Sequence, residues 1–329
     1  MKKIPLKKIL TTTGALATSV LLSILIILVA AVTLIFYGPS TTARDMLVLT
    51  SLETSAMKFL PHLYFSQSAI DTIIINNSAH DTDQISNGDD ITIPTDDLDL
   101  EKIEIVDIKG ATFIGKLMIV NDPSRIYVGT IGTFAPEKGG KRLLDVVKSD
   151  GAIGGINGGA FQDVGGVGNG GMPIGIVIKN GVVLINSPAG DKNILIGLDN
   201  QHKLVIGKMT AQEALDRGVV EAVTFGPALV INSELQGLGG TAGGLNPRTA
   251  IGQRADGAIL LLVIDGRQPT SLGASFKDVA DVMIKYGAVN AAALDGGSST
   301  LMVYQDQILN QTSLLTGPRR IPTFFLVSK

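Results

Sequence analysis

The chain of 329 residues contains no cysteine. Disulfides, thiol nucleophiles and thiolate zinc sites are thereby excluded, and a domain facing an oxidising compartment must rest on its hydrophobic core. Histidine is scarce: His62, His80 and His202 are the three, and none lies beside a glycine-rich motif. Ser298 and Ser299 therefore have no histidine at hand for a Ser-His-Asp triad, which leaves carboxylate or metal chemistry. Charge is missing altogether between Gly14 and Tyr37, where Leu, Ile, Val and Ala dominate. As a helix that stretch is about 36 Å long, enough to cross a bilayer.

Lys2, Lys3, Lys7 and Lys8 precede this span, and Arg44 and Lys58 are the basic residues that follow it closely. The positive-inside rule then sets residues 1–13 in the cytoplasm, 14–37 in the membrane and the rest outside, as a single-pass protein. A signal peptide cleaved near Ala30-Ala31 is the competing reading, but its apolar region should be only about 7–15 residues long. With four of the 27 basic residues ahead of the span, 23 face 30 acidic ones beyond it, a formal charge of −7. Such a surface is not built for nucleic acid or an anionic partner.

Residues 38–99 read as a stalk and an acidic linker. Leu49, Leu52, Ala56, Phe59 and Leu63 recur at helical spacing until Pro61 disturbs them, which suits an amphipathic stalk helix or a contact between copies of the chain. Residues 66–99 turn polar and acidic, as in Asn87-Gly88-Asp89-Asp90 and Thr95-Asp96-Asp97, without EF-hand spacing. That composition marks a flexible linker rather than a calcium loop.

From residue 100 to 329 short apolar runs alternate with turn signals, as expected of an α+β domain whose main element is mixed, strand-rich sheet with few packed helices. Ile103–Ile108, Phe113–Val120 and Arg125–Ile131 read as strands, and Asn180-Gly181 is the turn of a hairpin over residues 176–184. A second hairpin runs from Ile194–Leu198 to Leu204–Ile206. Thr210 with Glu213 predicts a capping box, Ser275 caps a helix that Gly287 stops, and Lys141–Lys148 supplies a third helix.

One phrase occurs twice: an apolar run, Asn or Asp, then Gly-Gly. It reads Ile156-Asn157-Gly158-Gly159 and Leu294-Asp295-Gly296-Gly297-Ser298-Ser299-Thr300. Each copy ends a strand, helix, strand unit, so parallel pairing inside each unit would bring both polar residues to a carboxyl edge, where glycine amides can form an anion-binding nest. Asp295 is the leading acid or base, although capping of the following turn is its structural alternative. Asp265, in Ile264-Asp265-Gly266-Arg267, also ends a strand; near Asp295 it would complete a carboxylate pair or hold a divalent metal. Arg248, at the entrance to an apolar strand, suits a carboxylate or phosphate, with Arg267 and Arg320 as further candidates and Arg319-Arg320 as a charged flank. The glycines from Gly239 to Gly244 suggest a loop able to close over substrate.

Together the phrases around Asn157, Pro173-Ile174-Gly175, Asn246-Pro247-Arg248-Thr249-Ala250, Asp265-Gly266-Arg267 and Asp295 resemble the phosphodiester glycosidase family over residues 100–329. That family includes a lysosomal enzyme that uncovers a mannose phosphate by removing N-acetylglucosamine, and bacterial relatives labelled exopolysaccharide biosynthesis proteins. Ser298 departs from a third glycine common in the family. The resemblance implies an extracellular hydrolase acting on glycosyl-1-phosphate diesters of cell-wall polymer, capsule or exopolysaccharide, with a carbohydrate phosphodiester as partner. Asp295 and Asp265 would then be catalytic, and Asn157 would bond a sugar hydroxyl. Arg248, Arg267, Arg320, Gly158, Gly159, Gly296, Gly297, Ser298, Ser299 and Thr300 would bind substrate. The competing readings are a tethered glycan-binding or assembly protein that keeps the fold without catalysis, and a scaffold whose stalk forms a homo-oligomer.

Overall fold

The computed structural model describes residues 6–54, 56–79, 83–93, 99–163, 168–313 and 317–329, with side chains from residue 14 onward. The lysine side chains ahead of the span, His80 and Thr95-Asp96-Asp97 lie outside the described residues. Helix α1 (Leu6–Tyr37) contains the apolar stretch. Residues 14–31 are exposed, whereas Val32, Thr33 and Phe36 turn into the protein. The exposed portion alone measures about 27 Å, close to a bilayer's hydrocarbon thickness.

Beyond α1 the chain is folded rather than extended. Helices α2 (Thr41–Glu53), α3 (Phe59–His62) and α4 (Gln67–Asn77) gather around Phe36, Val48, Leu49 and Ile73, with Tyr64 and Phe65 edge-on to Phe36. The expected linker is thus a helix over Gln67–Asn77: Ser66 caps it through Ala69 N, and Ile70 and Ile73 bury its apolar side. Average polarity hid this helix because two buried isoleucines, three residues apart, suffice to dock it. Further along, Ser86 bonds across to Leu204 and Ile206, and Ile91 is buried.

Three antiparallel sheets form the remainder. The first has the order β1 (Ile103–Lys109), β2 (Ile114–Val120), β13 (Ile259–Ile264), β12 (Arg248–Arg254), β14 (Ala288–Leu294), β10 (Ala228–Ile231), β11 (Glu234–Leu235). The second runs β16 (Gln307–Ile308), β15 (Met302–Tyr304), β4 (Gly154–Asn157), β17 (Thr323–Val327), β3 (Ile126–Thr130). The third runs β6 (Val182–Ser187), β5 (Gly175–Lys179), β9 (Val219–Thr224), β7 (Asn193–Asp199), β8 (Leu204–Met209).

Strand alternation explains how they assemble. Ile259, Leu261 and Val263 of β13, Phe325 and Val327 of β17, and Ile196 and Leu198 of β7 meet in one central core. Their neighbours face outward under one helix per sheet: α7 (Phe276–Lys285) covers the first, α5 (Leu143–Asp150) the second and α6 (Ala211–Asp216) the third. Buried on both faces, strands such as Ile-Leu-Leu-Leu-Val-Ile read as unbroken apolar runs. The predicted capping box at Thr210 and the predicted cap at Ser275 are both formed, the latter as a full box with Asp278, and Asn180 and Gly181 take the positive φ values of their hairpin turn.

The doubled unit is real, but its strands are not paired directly. In one copy β17 lies antiparallel between β3 and β4, and in the other β12 lies between β13 and β14. Each unit is therefore a split strand, helix, strand crossover whose outer strands run parallel with a third strand inserted. The two carboxyl edges nevertheless meet, since Asp295 N donates to Gly158 O.

Candidate active site

A cleft of about 300 Å³ opens at this junction, lined by Glu53, Asp163, Phe225, Arg248, Arg267, Phe276, Asp295, Ser298 and Arg319 among others. Asp295 follows directly from β14, and one carboxylate oxygen, Oδ2, is shut off from solvent without a partner. Desolvation, with the nearby Asp163 adding to it, raises its pKa from 3.8 to about 7, against the pull of Arg319 and the Gly296 amide. A carboxyl group poised near neutrality in a cleft is equipped to exchange a proton with a ligand.

Asn157 stands behind the site. It is fully buried; its Nδ2 donates to Asp295 O at 2.5 Å, and its Oδ1 accepts from Thr249 Oγ1 at 2.8 Å and Leu301 N at 3.1 Å. These bonds hold the Asp295 backbone, and the side chain does not line the cleft.

Three guanidinium groups border the space. Arg248 is buried, stacks on Phe276 at 3.9 Å, and donates to the carbonyls of Ala274, Gly243 and Gly244. Its Nη1 lies 3.2 Å from Glu53 Oε2, which also accepts from Asn246 Nδ2 at 2.6 Å. Arg267 has φ of 58°, donates to Glu53 O and Asn246 Oδ1, and keeps its Nε buried without a partner. Arg319 pairs with Asp163, donates to Ser298 Oγ at 3.3 Å and lies over Phe161. Burial pulls the Arg248 and Arg267 pKa values down from the ordinary arginine value, Glu53 opposing in both cases. Both stay cationic, as arginine does throughout the working pH range.

Glu53 comes from outside the β domain, at the end of α2. Although 40% of its side chain faces the cleft opening, the carboxylate sits amid packed protein. Desolvation raises its pKa against Arg248 and Arg267. The Gly239–Gly244 loop is where the helical layer docks: Gly239 N bonds Ser78 O, Thr241 N bonds Asn77 Oδ1, and Leu245 N bonds Thr50 Oγ1.

Several sequence candidates fall elsewhere. Asp265 ends β13, two strand positions from Asp295 and roughly 10 Å away by strand spacing, with β12 between. Its Oδ1 accepts from Asn310 and Gln311, so the expected carboxylate pair does not form. Nor do these two acids share a cation site with a third such residue, since no group of three or more His, Cys, Asp or Glu side chains able to hold a metal occurs among the described residues. Arg320 is exposed and donates to Gly140 O, while its neighbour Arg319 turns inward.

The N–H groups of Gly158, Gly159, Gly297, Ser299 and Thr300 all donate within the protein, so the anticipated amide nest is not built from these five. Gly158 is required for packing, since a Cβ there would meet Thr323 backbone at 2.7 Å. Gly297 has φ of +60° and faces Arg267. The Ser299 and Thr300 hydroxyls are buried without partners. Glu53, Asp163, Phe225 and Phe276 carried no sequence signal of site membership, and Arg319 was visible only as a flanking charge.

A sequence model of the family described as phosphodiester glycosidase matches residues 150–328, more than half of the chain. The SPbeta prophage-derived uncharacterized protein YomE of Bacillus subtilis is 27% identical over 201 residues, covering 58% of this chain and 29% of YomE. The N-acetylglucosamine-1-phosphodiester alpha-N-acetylglucosaminidase of Bos taurus is 28% identical over 167 residues, covering 44% and 32% respectively. The chain thus spans between about a third and a half of the length of the curated relatives it matches. Among solved structures, the catalytic domain of the zebrafish enzyme of that name superposes with TM-score 0.58 at 22% identity, covering 69% of this chain and 82% of that one. An exported protein of Burkholderia pseudomallei gives 0.51 at 17%, covering 66% and 74%. These likenesses confirm the fold.

Proposed function

We propose, from the premise that the chain belongs to the phosphodiester glycosidase family, that it hydrolyses the bond between a sugar's anomeric carbon and a phosphodiester oxygen. The observation that carries this reading is the partnerless Asp295 carboxylate oxygen in a cleft bordered by Arg248, Arg267 and Arg319. The Bos taurus relative is named for removing N-acetylglucosamine from a 1-phosphodiester, which supports the same bond as the target here.

Water adds its oxygen to the anomeric carbon, and the carbon–oxygen bond electrons leave with the phosphate. A phosphate monoester leaves more readily than an alcohol, so guanidinium charge at the phosphate replaces much of the usual acid catalysis. Ionised Asp295 activates the water or stabilises the oxocarbenium-like carbon. Arg319 and Arg267 hold the phosphate, and Arg248 adds charge from behind Glu53. Asn157 and Thr249 fix the strand end that carries Asp295. Asp265 stabilises the neighbouring loop.

The apolar α1 segment supports a single-pass anchor with residues 1–13 in the cytoplasm and the β domain outside, acting on cell-wall polymer, capsule or exopolysaccharide. Incubating the full chain with an aryl phosphodiester of N-acetylglucosamine in ¹⁸O-water tests the reaction. Free sugar labelled at its anomeric hydroxyl, with unlabelled aryl phosphate, is expected. Label in the phosphate would overturn the assigned bond, and saturable binding without turnover would favour the glycan-binding alternative.

A further inference from the structure

Beside the charged cleft lies a second cavity of about 450 Å³, between the helical layer and the β domain. Leu49, Leu52 and Ile74 face it from α2 and α4, and Ile194 and Pro227 from the opposite side. Glu53 and Phe276 form walls of both spaces, and Gly226 of the cleft adjoins Pro227 of the cavity. Asn77, the amide on its lining, is engaged on both sides by Ile73 O, Asp45 and Thr241. An apolar chamber thus adjoins the place where a phosphate would sit, with Glu53 and Phe276 between them.

Its position relative to the membrane supplies the second observation. Two of the helices bounding it, α2 and α4, belong to the cluster that packs on Phe36 at the end of α1. Tyr37 and Tyr64 sit together there, with Tyr37 Oη donating to Tyr64 O, as aromatic residues do at the bilayer interface. Phe59 on α3, Leu63 just after it and Ile75 on α4 remain 61%, 70% and 68% exposed. These side chains leave apolar surface on the helical layer that packs on the end of the span and bounds the cavity.

We infer that the second ester of the substrate is an aliphatic chain: the site takes a glycosyl phosphodiester of a membrane lipid, with its phosphate among the arginines and its first methylenes in the cavity beside Ile74 and Leu52. This rests on the hydrolase reading and the membrane anchor proposed above. Hydrolysis then releases free sugar and leaves a lipid phosphate monoester in the bilayer; water oxygen joins the anomeric carbon as the phosphate oxygen departs with its electron pair. A substrate held by the membrane also explains why a helix outside the β domain contributes a wall of the cleft.

The test is binding of octyl phosphate against ethyl phosphate to the full chain in lipid nanodiscs, with empty nanodiscs as the blank. Each methylene removed from water tightens binding about fourfold, so three buried methylenes give a preference of about sixtyfold for octyl phosphate. Ile74→Asp should bring that ratio close to one; if its thermal unfolding shows a misfolded variant, Ala79→Met, which fills the cavity, serves instead. Equal affinities in the unaltered protein would overturn the inference, and so would a preference that survives the folded variant. Neither probe contains a glycosidic bond, so failure here leaves the hydrolase assignment standing, and loss of that assignment does not alter this readout.

Discussion

Asn157 donates from its side chain to the backbone carbonyl of Asp295, so the residue ending one glycine-rich strand fixes the end of the other. The same amide accepts from Thr249 on β12 and from Leu301 N, joining two sheets at one buried point. Replacing it with alanine leaves buried partners unmatched. Asn157→Ala is expected to lose about 2–5 kcal/mol of stability in urea unfolding; an unchanged midpoint would contradict this clamp.

Asp295 makes stability depend on pH in a defined direction. Its folded pKa, about 7, lies above its ordinary value of 3.8. Between those values the unfolded chain has released the proton while the folded chain retains it, so this group's contribution falls as pH rises and levels off above the folded value. The span corresponds to about 4 kcal/mol. Relative to the unaltered protein, Asp295→Asn should therefore gain stability progressively from pH 4 to pH 7, measured as unfolding midpoints at each pH.

The relation between Glu53 and Arg248 gives a third expectation. Glu53 neutralises one edge of the guanidinium and competes with any anion entering the cleft. Glu53→Gln keeps an oxygen for Asn246 and removes the charge, so ethyl phosphate should bind severalfold more tightly by titration calorimetry. Weaker binding would show that the carboxylate serves ligand capture instead.

Topology is directly accessible because the chain has no cysteine of its own. Ser149 is exposed near the end of α5, and Ser149→Cys supplies a single thiol. In intact cells an impermeant maleimide should label it on a band of full-length mass. Labelling only after lysis would contradict an extracellular β domain, and a shortened band would indicate a cleaved leader.

Local chemistry made much of this architecture legible. Asn180-Gly181 selects its hairpin, Thr210 and Ser275 carry capping boxes, and the two glycine-rich strand ends identify the junction where Asp295 lies. The inserted strands were not legible: β17 is recruited from almost two hundred residues beyond β3, and β12, although it forms a hairpin with β13, also pairs with β14 across the helix that follows, so neither insertion leaves a mark within the unit it splits. Arg320 and Arg319 illustrate a finer limit, since neighbours in extended chain point opposite ways and sequence alone does not fix which one faces the cleft. Glu53 was hidden for a similar reason, because its place depends on α2 docking against a loop almost two hundred residues later. Composition likewise concealed α4, whose few buried isoleucines sit among polar residues.

The most direct measurement is the initial rate of free-sugar release from a glycosyl phosphodiester by the unaltered chain and by Asp295→Asn, from pH 5 to pH 9. The unaltered rate should climb with ionisation of a group titrating near pH 7, and the variant should fall by about 10²–10⁴-fold. An Asp295→Asn protein that releases sugar at the unaltered rate would contradict the central claim that this carboxylate carries the reaction.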